Sequence, residues 1–217
     1  MLKPSPLFLI FFIFYFFSFP SYHAQYTQCK LPFDCGALKN VTYPFWGGTN
    51  RPQECGRLGF ELFNCQEEDQ LPRIKIEELD FHVSNINSQE RLHTMTIARS
   101  DLWDSPCTHL LVNTTLDYTR FSYVQTVRNL TLYYGCLPQN ASVHNNFTCK
   151  NDGTGIRDIA YYVDDSLSMV DLLNQTSCFT KIRVPIFWEG FDAMSENATE
   201  AGEKVLRRGF QVEYSAE

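Results

Sequence analysis

Polar and apolar residues alternate at period two in several short stretches of the chain. That is the pattern of a strand with one buried face. Arg73-Ile74-Lys75-Ile76-Glu77 is the clearest case, and Asp80-Phe81-His82-Val83-Ser84 continues it with Phe81 and Val83 on one face. Leu92–Arg99 predicts a third strand. His82 and His93 fall on the polar phase, so they are expected as exposed surface residues rather than ligands. Phe121–Val127 and Leu130–Tyr134 are rich in aromatic and β-branched residues and read as strands. Ala160–Val163 predicts a short strand, and Cys178–Trp188 a long one that Pro185 breaks or places at an edge. Phe210–Tyr214 alternates again. Helical spacing occurs twice. Leu167, Val170 and Leu173 recur every three residues in Ser166–Asn174. Ala193, Ala198, Ala201, Val205 and Leu206 mark an apolar stripe in the polar stretch Glu189–Arg208, which Gly209 ends as a C′ glycine. Between these elements lie an acidic, solvated turn at Gln66–Gln70 closed by Leu71-Pro72, an exposed loop at Pro138–Cys149, and a turn at Asn151–Gly155. Ser100–Cys107 (SDLWDSPC) reads as the boundary between two modules.

The first residues change the picture of the compartment. Leu7–Phe19 is apolar apart from Ser18 and follows one positive charge, Lys3. The run suits the core of a signal peptide and is short for a membrane span. Cleavage is placed after Ala24, so residues 1–24 are the expected signal and 25–217 the mature chain. No later stretch is long and apolar enough to span a membrane; Ile182–Trp188 comes nearest and carries Arg183 and Pro185. All eight cysteines follow the signal: Cys29, Cys35, Cys55, Cys65, Cys107, Cys136, Cys149 and Cys178. An even count in a secreted chain predicts four disulfides, with 105 pairings open. None forms C-x-x-C, so a metal site has no support. Seven sequons, at Asn40, Asn113, Asn129, Asn140, Asn146, Asn174 and Asn197, fit the same secreted or cell-wall compartment, and each used one must face solvent. The pattern and the cysteines together predict a mainly β protein. It has two small disulfide-tied β-rich modules, 25–99 and 100–217, with one or two short helices in the second.

Charge sets limits on partners. The chain carries 18 basic and 25 acidic residues. Without Lys3 the balance is 17 to 25, or −8, which argues against nucleic acid. The distribution is uneven. Cys29–Gly59 holds Lys30, Lys39, Arg51 and Arg57 against Asp34 and Glu54, whereas Phe60–Asp80 holds seven acidic residues and two basic ones.

The basic stretch surrounds an aromatic block, Tyr43-Pro44-Phe45-Trp46, followed by Gly47-Gly48. Pro44 restricts Tyr43 to extended geometry, and the glycines permit a turn with positive φ. Such a block is either a platform for a ligand or the plug of a small core, and the sequence leaves both open. As a platform, Tyr43, Phe45 and Trp46 would lie under sugar rings while Lys39, Arg51 and Arg57 paired with carboxylates. A glycan on Asn40 would limit which face is available.

The cysteine spacing around this block carries a resemblance. C-x5-CG from Cys29, N-V-T-Y-P-F-W from Asn40, E-CG from Glu54 and F-E-L-F-N-C from Phe60 resemble the galacturonan-binding extracellular domain of plant wall-associated receptor kinases. Phe81–Ile86, Leu132–Cys136, Cys178–Pro185 and Gly209–Tyr214 extend the likeness, which is greatest to the leaf-rust-resistance-locus receptor-like kinases. The last segment ends in Tyr214 where Trp is commoner in that family. The resemblance implies a galacturonan-binding module over 25–99 and a wall-associated-kinase C-terminal module over 100–217. It implies cell-wall pectic polysaccharide as partner and a possible protein co-receptor. Such relatives continue into a further cysteine run, a membrane span and a kinase, whereas this sequence stops at Glu217. It reads as a secreted receptor-like protein, a splice product or a fragment.

Catalytic patterns are missing from the sequence. It holds no G-x-S-x-G, no H-E-x-x-H, no P-loop and no kinase signature set. Asn151–Gly155 departs from the dinucleotide pattern because Asp158 stands where the last glycine is needed. Asp164-Asp165 and Glu67-Glu68 are adjacent, and neighbours on a strand point to opposite faces, so neither is a glycosidase pair. The expectation is a non-catalytic binding protein without cofactor. Pectin binding leads, a protein- or peptide-binding ectodomain in signalling or defence is the alternative, and a secreted structural or inhibitory protein comes third.

Overall fold

The computed structural model describes residues 27–49, 51–89, 92–136, 146–150, 157–164, 178–187 and 198–216. The expected signal at residues 1–24, the expected turn at Asn151–Gly155 and the expected helix at Ser166–Asn174 lie outside them.

The described residues form three sheets. β1 (Phe33–Cys35) and β2 (Leu38–Val41) make an antiparallel pair. β3 (Trp46–Gly47), β4 (Glu61–Phe63), β5 (Arg73–Ile76), β6 (Leu79–Gln89) and β7 (Leu92–Arg99) run in order through a larger sheet, in which only the β3–β4 pairing is parallel. β8 (Phe121–Tyr123) and the last strand, β13 (Phe210–Tyr214), complete it, giving the order β3-β4-β5-β6-β7-β13-β8. β9 (Val127–Cys136), β10 (Asn146–Lys150), β11 (Arg157–Asp164) and β12 (Cys178–Phe187) form an antiparallel sheet ordered β10-β11-β9-β12. The mainly β reading holds. The division at residue 100 does not divide the sheets, however, because β8 and β13 pair with each other and β13 pairs with β7.

Alternation decides what each face does. Ile74, Ile76, Phe81, Val83, Met95, Ile97, Phe210 and Val212 are at most 2% exposed and share the inner face of the seven-stranded sheet. Cys35, Leu38, Val41 and Phe45 close that core from the N-terminal side. Burying a side chain of this kind contributes about 1.5–3 kcal/mol. A second core joins Leu130, Leu132, Tyr134, Ile182, Val184 and Ile186 of the four-stranded sheet to Val205 and Leu206 of the helix Ala198–Arg208. Gly209 ends this helix at φ +68°, and a Cβ there would stand 2.1 Å from the Ile97 carbonyl oxygen. The C′ glycine thus lets the chain turn directly into β13 beside β7.

All eight cysteines are paired, as Cys29–Cys55, Cys35–Cys65, Cys107–Cys149 and Cys136–Cys178. Both pairs of bridges interlace, first to third and second to fourth, and none links the segment before residue 100 to the segment after it. The bridges thus stay within 29–65 and within 107–178, while the seven-stranded sheet joins both segments. The two histidines differ from expectation. Both are half-buried: the His82 ring lies 4.6 Å from that of Trp103, and the His93 ring 5.4 Å from that of Tyr214.

Candidate functional site

The aromatic block leads from β2 into β3, with the Tyr43–Pro44 peptide cis and Gly47 and Gly48 at positive φ. Its three rings go to different places. Phe45 has no exposed surface and packs edge-on against Phe60 at 5.5 Å and Tyr214 at 5.1 Å. It is the core plug, and it cannot meet a sugar. Tyr43 is 50% exposed. Trp46 is half-buried, and its indole Nε1 donates to the Arg57 carbonyl at 2.9 Å. A Cβ on Gly56 would stand 2.4 Å from the indole Cδ1, so only glycine lets Trp46 settle on the 56–57 backbone. The Arg57 N–H donates to the Pro44 carbonyl at 2.9 Å and ties that shelf to the block.

The cations also separate. Lys39 lies 3.6 Å from Asp34 in an exposed pair, which contributes little. Arg51 is 2% exposed and donates through Nη1 to the carbonyls of Leu31 at 2.6 Å and Gln28 at 3.2 Å. Its burial removes it from any ligand face and holds its pKa below the usual arginine value. Arg57 donates from Nη1 to the Ser215 carbonyl at 2.9 Å, with its guanidinium 6.0 Å from the Phe60 ring. Of the six residues singled out, Tyr43, Trp46, Lys39 and Arg57 reach the surface, while Phe45 and Arg51 do not. Asn40, Asn113 and Asn129 are exposed. Asn140, Asn174 and Asn197, and the side chain of Asn146, lie outside the described residues. Asn40 also lines a shallow cavity of about 220 Å³ between β2 and β6, over which a glycan would stand.

Sequence reasoning passed over a second group. Phe63 pairs with Arg73, and Arg73 with His82, across β4, β5 and β6. Directly opposed residues have Cβ atoms about 5 Å apart. Trp103, from the supposed boundary loop, tilts its ring onto His82 at 47°. Asn64, Asp69, Gln70, Leu71, Arg73, His82 and Trp103 line a cavity of about 290 Å³. Arg73 Nε and His82 Nδ1 are buried there without a hydrogen-bond partner. Burial first, then the facing Arg73, hold the His82 pKa below the ordinary histidine value, while the Leu71 backbone and Asp104 pull the other way. The signal available in the sequence was the shared polar phase of Arg73 and His82; Trp103 is distant from both along the chain. Among the described residues, no cluster of three or more His, Cys, Asp or Glu has metal-binding geometry.

Comparison with known proteins bears on this arrangement directly. Residues 29–99 match the wall-associated receptor kinase galacturonan-binding family. The matched span runs from the first cysteine to the end of β7, so it includes the aromatic block, both N-terminal bridges and most of the second group. Curated relatives come from Arabidopsis thaliana. Leaf rust 10 disease-resistance locus receptor-like protein kinase-like 2.8 is 33% identical over 96% of this chain, and the 1.3 protein 30% identical over 96%. The 2.3 protein is 31% identical over 69% of the chain. The chain spans only 21%, 28% and 23% of the length of these three relatives. No solved structure matches it. The galacturonan-binding match over 29–99 and the likeness to receptor-like protein kinases support the reading of a receptor ectodomain. Its four disulfides belong to an oxidising, extracellular compartment. No helix among the described residues is long and apolar enough to cross a membrane.

Proposed function

We propose that the segment 29–99 binds pectic polymer, meaning de-esterified galacturonan, as a non-catalytic module of a receptor-like protein in the plant cell wall. The observation that carries this reading is the family match over that segment. Tyr43, exposed beside the half-buried Trp46, offers ring surface for sugar faces. Arg57, tied to Trp46 and Pro44, brings positive charge beside it, and Lys39 is exposed on β2. Exposed charges are screened over about 10 Å at 0.1 M salt, so retention weakens as salt rises. The test is retention of the secreted protein on polygalacturonate at low and high salt, for wild type and for Lys39→Gln/Tyr43→Ala/Arg57→Gln. Arg51 is not a test residue, since its substitution would disturb packing first. Absence of retention at low salt overturns the proposal. Retention unchanged by both salt and the triple substitution moves the site elsewhere.

One observation favours the alternative, a protein- or peptide-binding ectodomain acting in signalling or defence with a co-receptor. Leu110, Leu111 and Val112 form a consecutive exposed apolar run, and Tyr118 and Phe179 are 71% and 85% exposed. Exposed apolar surface of this kind marks protein contacts when it is contiguous.

A further inference from the structure

The strongest chemistry on the molecule lies outside the block that the sequence singled out. Gly47, Leu62, Ile74 and Phe81 occupy the buried side of β3, β4, β5 and β6. Their neighbours therefore take the opposite side. Trp46 is the partner of Glu61, and Phe63 that of Arg73, which pairs onward with His82. These outward residues form a band that ends under Trp103. At about 4.8 Å per strand step, it spans roughly 14 Å from β3 to β6.

Within this band Arg73 differs from the other described arginines of the matched segment. Arg51 and Arg57 are committed to backbone carbonyls, and Arg99 to Asp101. Arg73, whose Nε is buried without a partner like that of Arg51, has no side-chain hydrogen bond to a carbonyl and no carboxylate within ion-pair distance among the described residues. A half-buried guanidinium presents a planar fork that matches a carboxylate. Around it in the cavity are an indole, the side-chain amides of Asn64 and Gln70, and the carboxylate of Asp69. Asp69 is exposed on the cavity rim, and Glu61 stands between Trp46 and Phe63. Both are available to accept from sugar hydroxyls.

We infer that the outward band from Trp46 to Trp103 is a saccharide track, and that the cavity of Arg73, His82 and Trp103 is its anchoring subsite. The subsite takes one uronic acid residue, with the carboxylate on Arg73 and the ring against Trp103. This inference rests on the galacturonan reading and assigns that reading a site.

The test is calorimetric titration of the full secreted protein with trigalacturonate and with its fully methyl-esterified counterpart. Wild type binds the free acid at least tenfold more tightly than the ester. Arg73→Gln lowers affinity for the free acid to that for the ester and leaves the ester unchanged. Trp103→Phe weakens both less than Trp103→Ala does. Unchanged free-acid affinity in a folded Arg73→Gln protein overturns the subsite. Should that variant fail to fold, Arg73→Lys keeps the charge and loses the fork, and undiminished affinity there overturns it equally. Retention of wild type on polygalacturonate is measured in parallel. Its absence defeats the galacturonan reading itself, whereas retention with an indifferent Arg73 defeats only the subsite.

Discussion

The segment before residue 100 and the crossover after it each bury one arginine under irregular chain, and they do so in opposite ways. Arg51 and Arg99 are both 2% exposed. Among the described residues the Arg51 side chain donates to the carbonyls of Gln28 and Leu31, with the Phe33 ring 5.4 Å away and its Nε unpartnered. Arg99 is bidentate with Asp101, at 3.0 Å through Nε and 2.7 Å through Nη2, and also holds the carbonyls of Val112 and Leu110. Asp101 accepts in addition from the Thr108 hydroxyl. Cys29–Cys55 already delivers residues 28–31 to the neighbourhood of Arg51. The 101–112 segment is held by the Cys107–Cys149 bridge and, beside it, by the Arg99–Asp101 ion pair and its hydrogen bonds. In one segment the arginine meets carbonyls that a disulfide brings to it; in the other an arginine–carboxylate network works beside the bridge.

Substitutions that separate covalent from electrostatic closure sharpen this contrast. The largest effect is expected at Arg99. Arg99→Met leaves the largely buried Asp101 carboxylate without its cation and the Val112 carbonyl without its donor, and breaking a buried pair costs about 3–5 kcal/mol. Urea titration should show Arg99→Met/Asp101→Leu losing less than the sum of its single substitutions; simple additivity would remove the network from the account. Next comes Cys29→Ser/Cys55→Ser, at about 2–4 kcal/mol. If the bridge is what presents the carbonyls, adding Arg51→Met to this pair should have little further effect. A full additional loss in the bridge-free protein would break the contrast. Arg51→Met alone, with the bridge intact, leaves the Leu31 carbonyl to find water, while the Gln28 carbonyl keeps the Leu31 N–H, and should cost roughly 1–3 kcal/mol.

The smallest effect concerns pH and lies between the two regions. The folded pKa of His82 is depressed, so the unfolded chain binds its proton more readily. The penalty is absent above the unfolded value near 6.5 and grows as pH falls below it. Thermal midpoints measured from about pH 7 to pH 5 should therefore fall more for wild type than for His82→Gln. Parallel slopes would show that another group carries the dependence.

Much of the fold was legible because its signal is local. β5 and β7 appear where period-two alternation placed them, Leu92–Arg99 to the residue. The solvated turn at Gln66–Gln70 is exposed throughout, and Gly209 ends the helix as its position in the pattern required. The candidate site was less legible. The sequence marked Tyr43–Trp46 as unusual but left platform and plug open, and the fold divides the block between them. Composition also pointed away from Arg73, which stands in the stretch where acidic residues outnumber basic ones.

By itself, then, the sequence determined strand alternation, the number of disulfides, the compartment and the family likeness, because each depends on residue type at short spacing. Only the tertiary structure decided which cysteines pair, that β13 closes against β7, that Phe45 and Arg51 turn inward, and that Trp103 comes to rest on His82 beside the cavity of Arg73. These are meetings between residues distant in the chain. The alternation of a strand says which residues share a face, but which strand lies beside it is settled only when the two cores bury their apolar faces together.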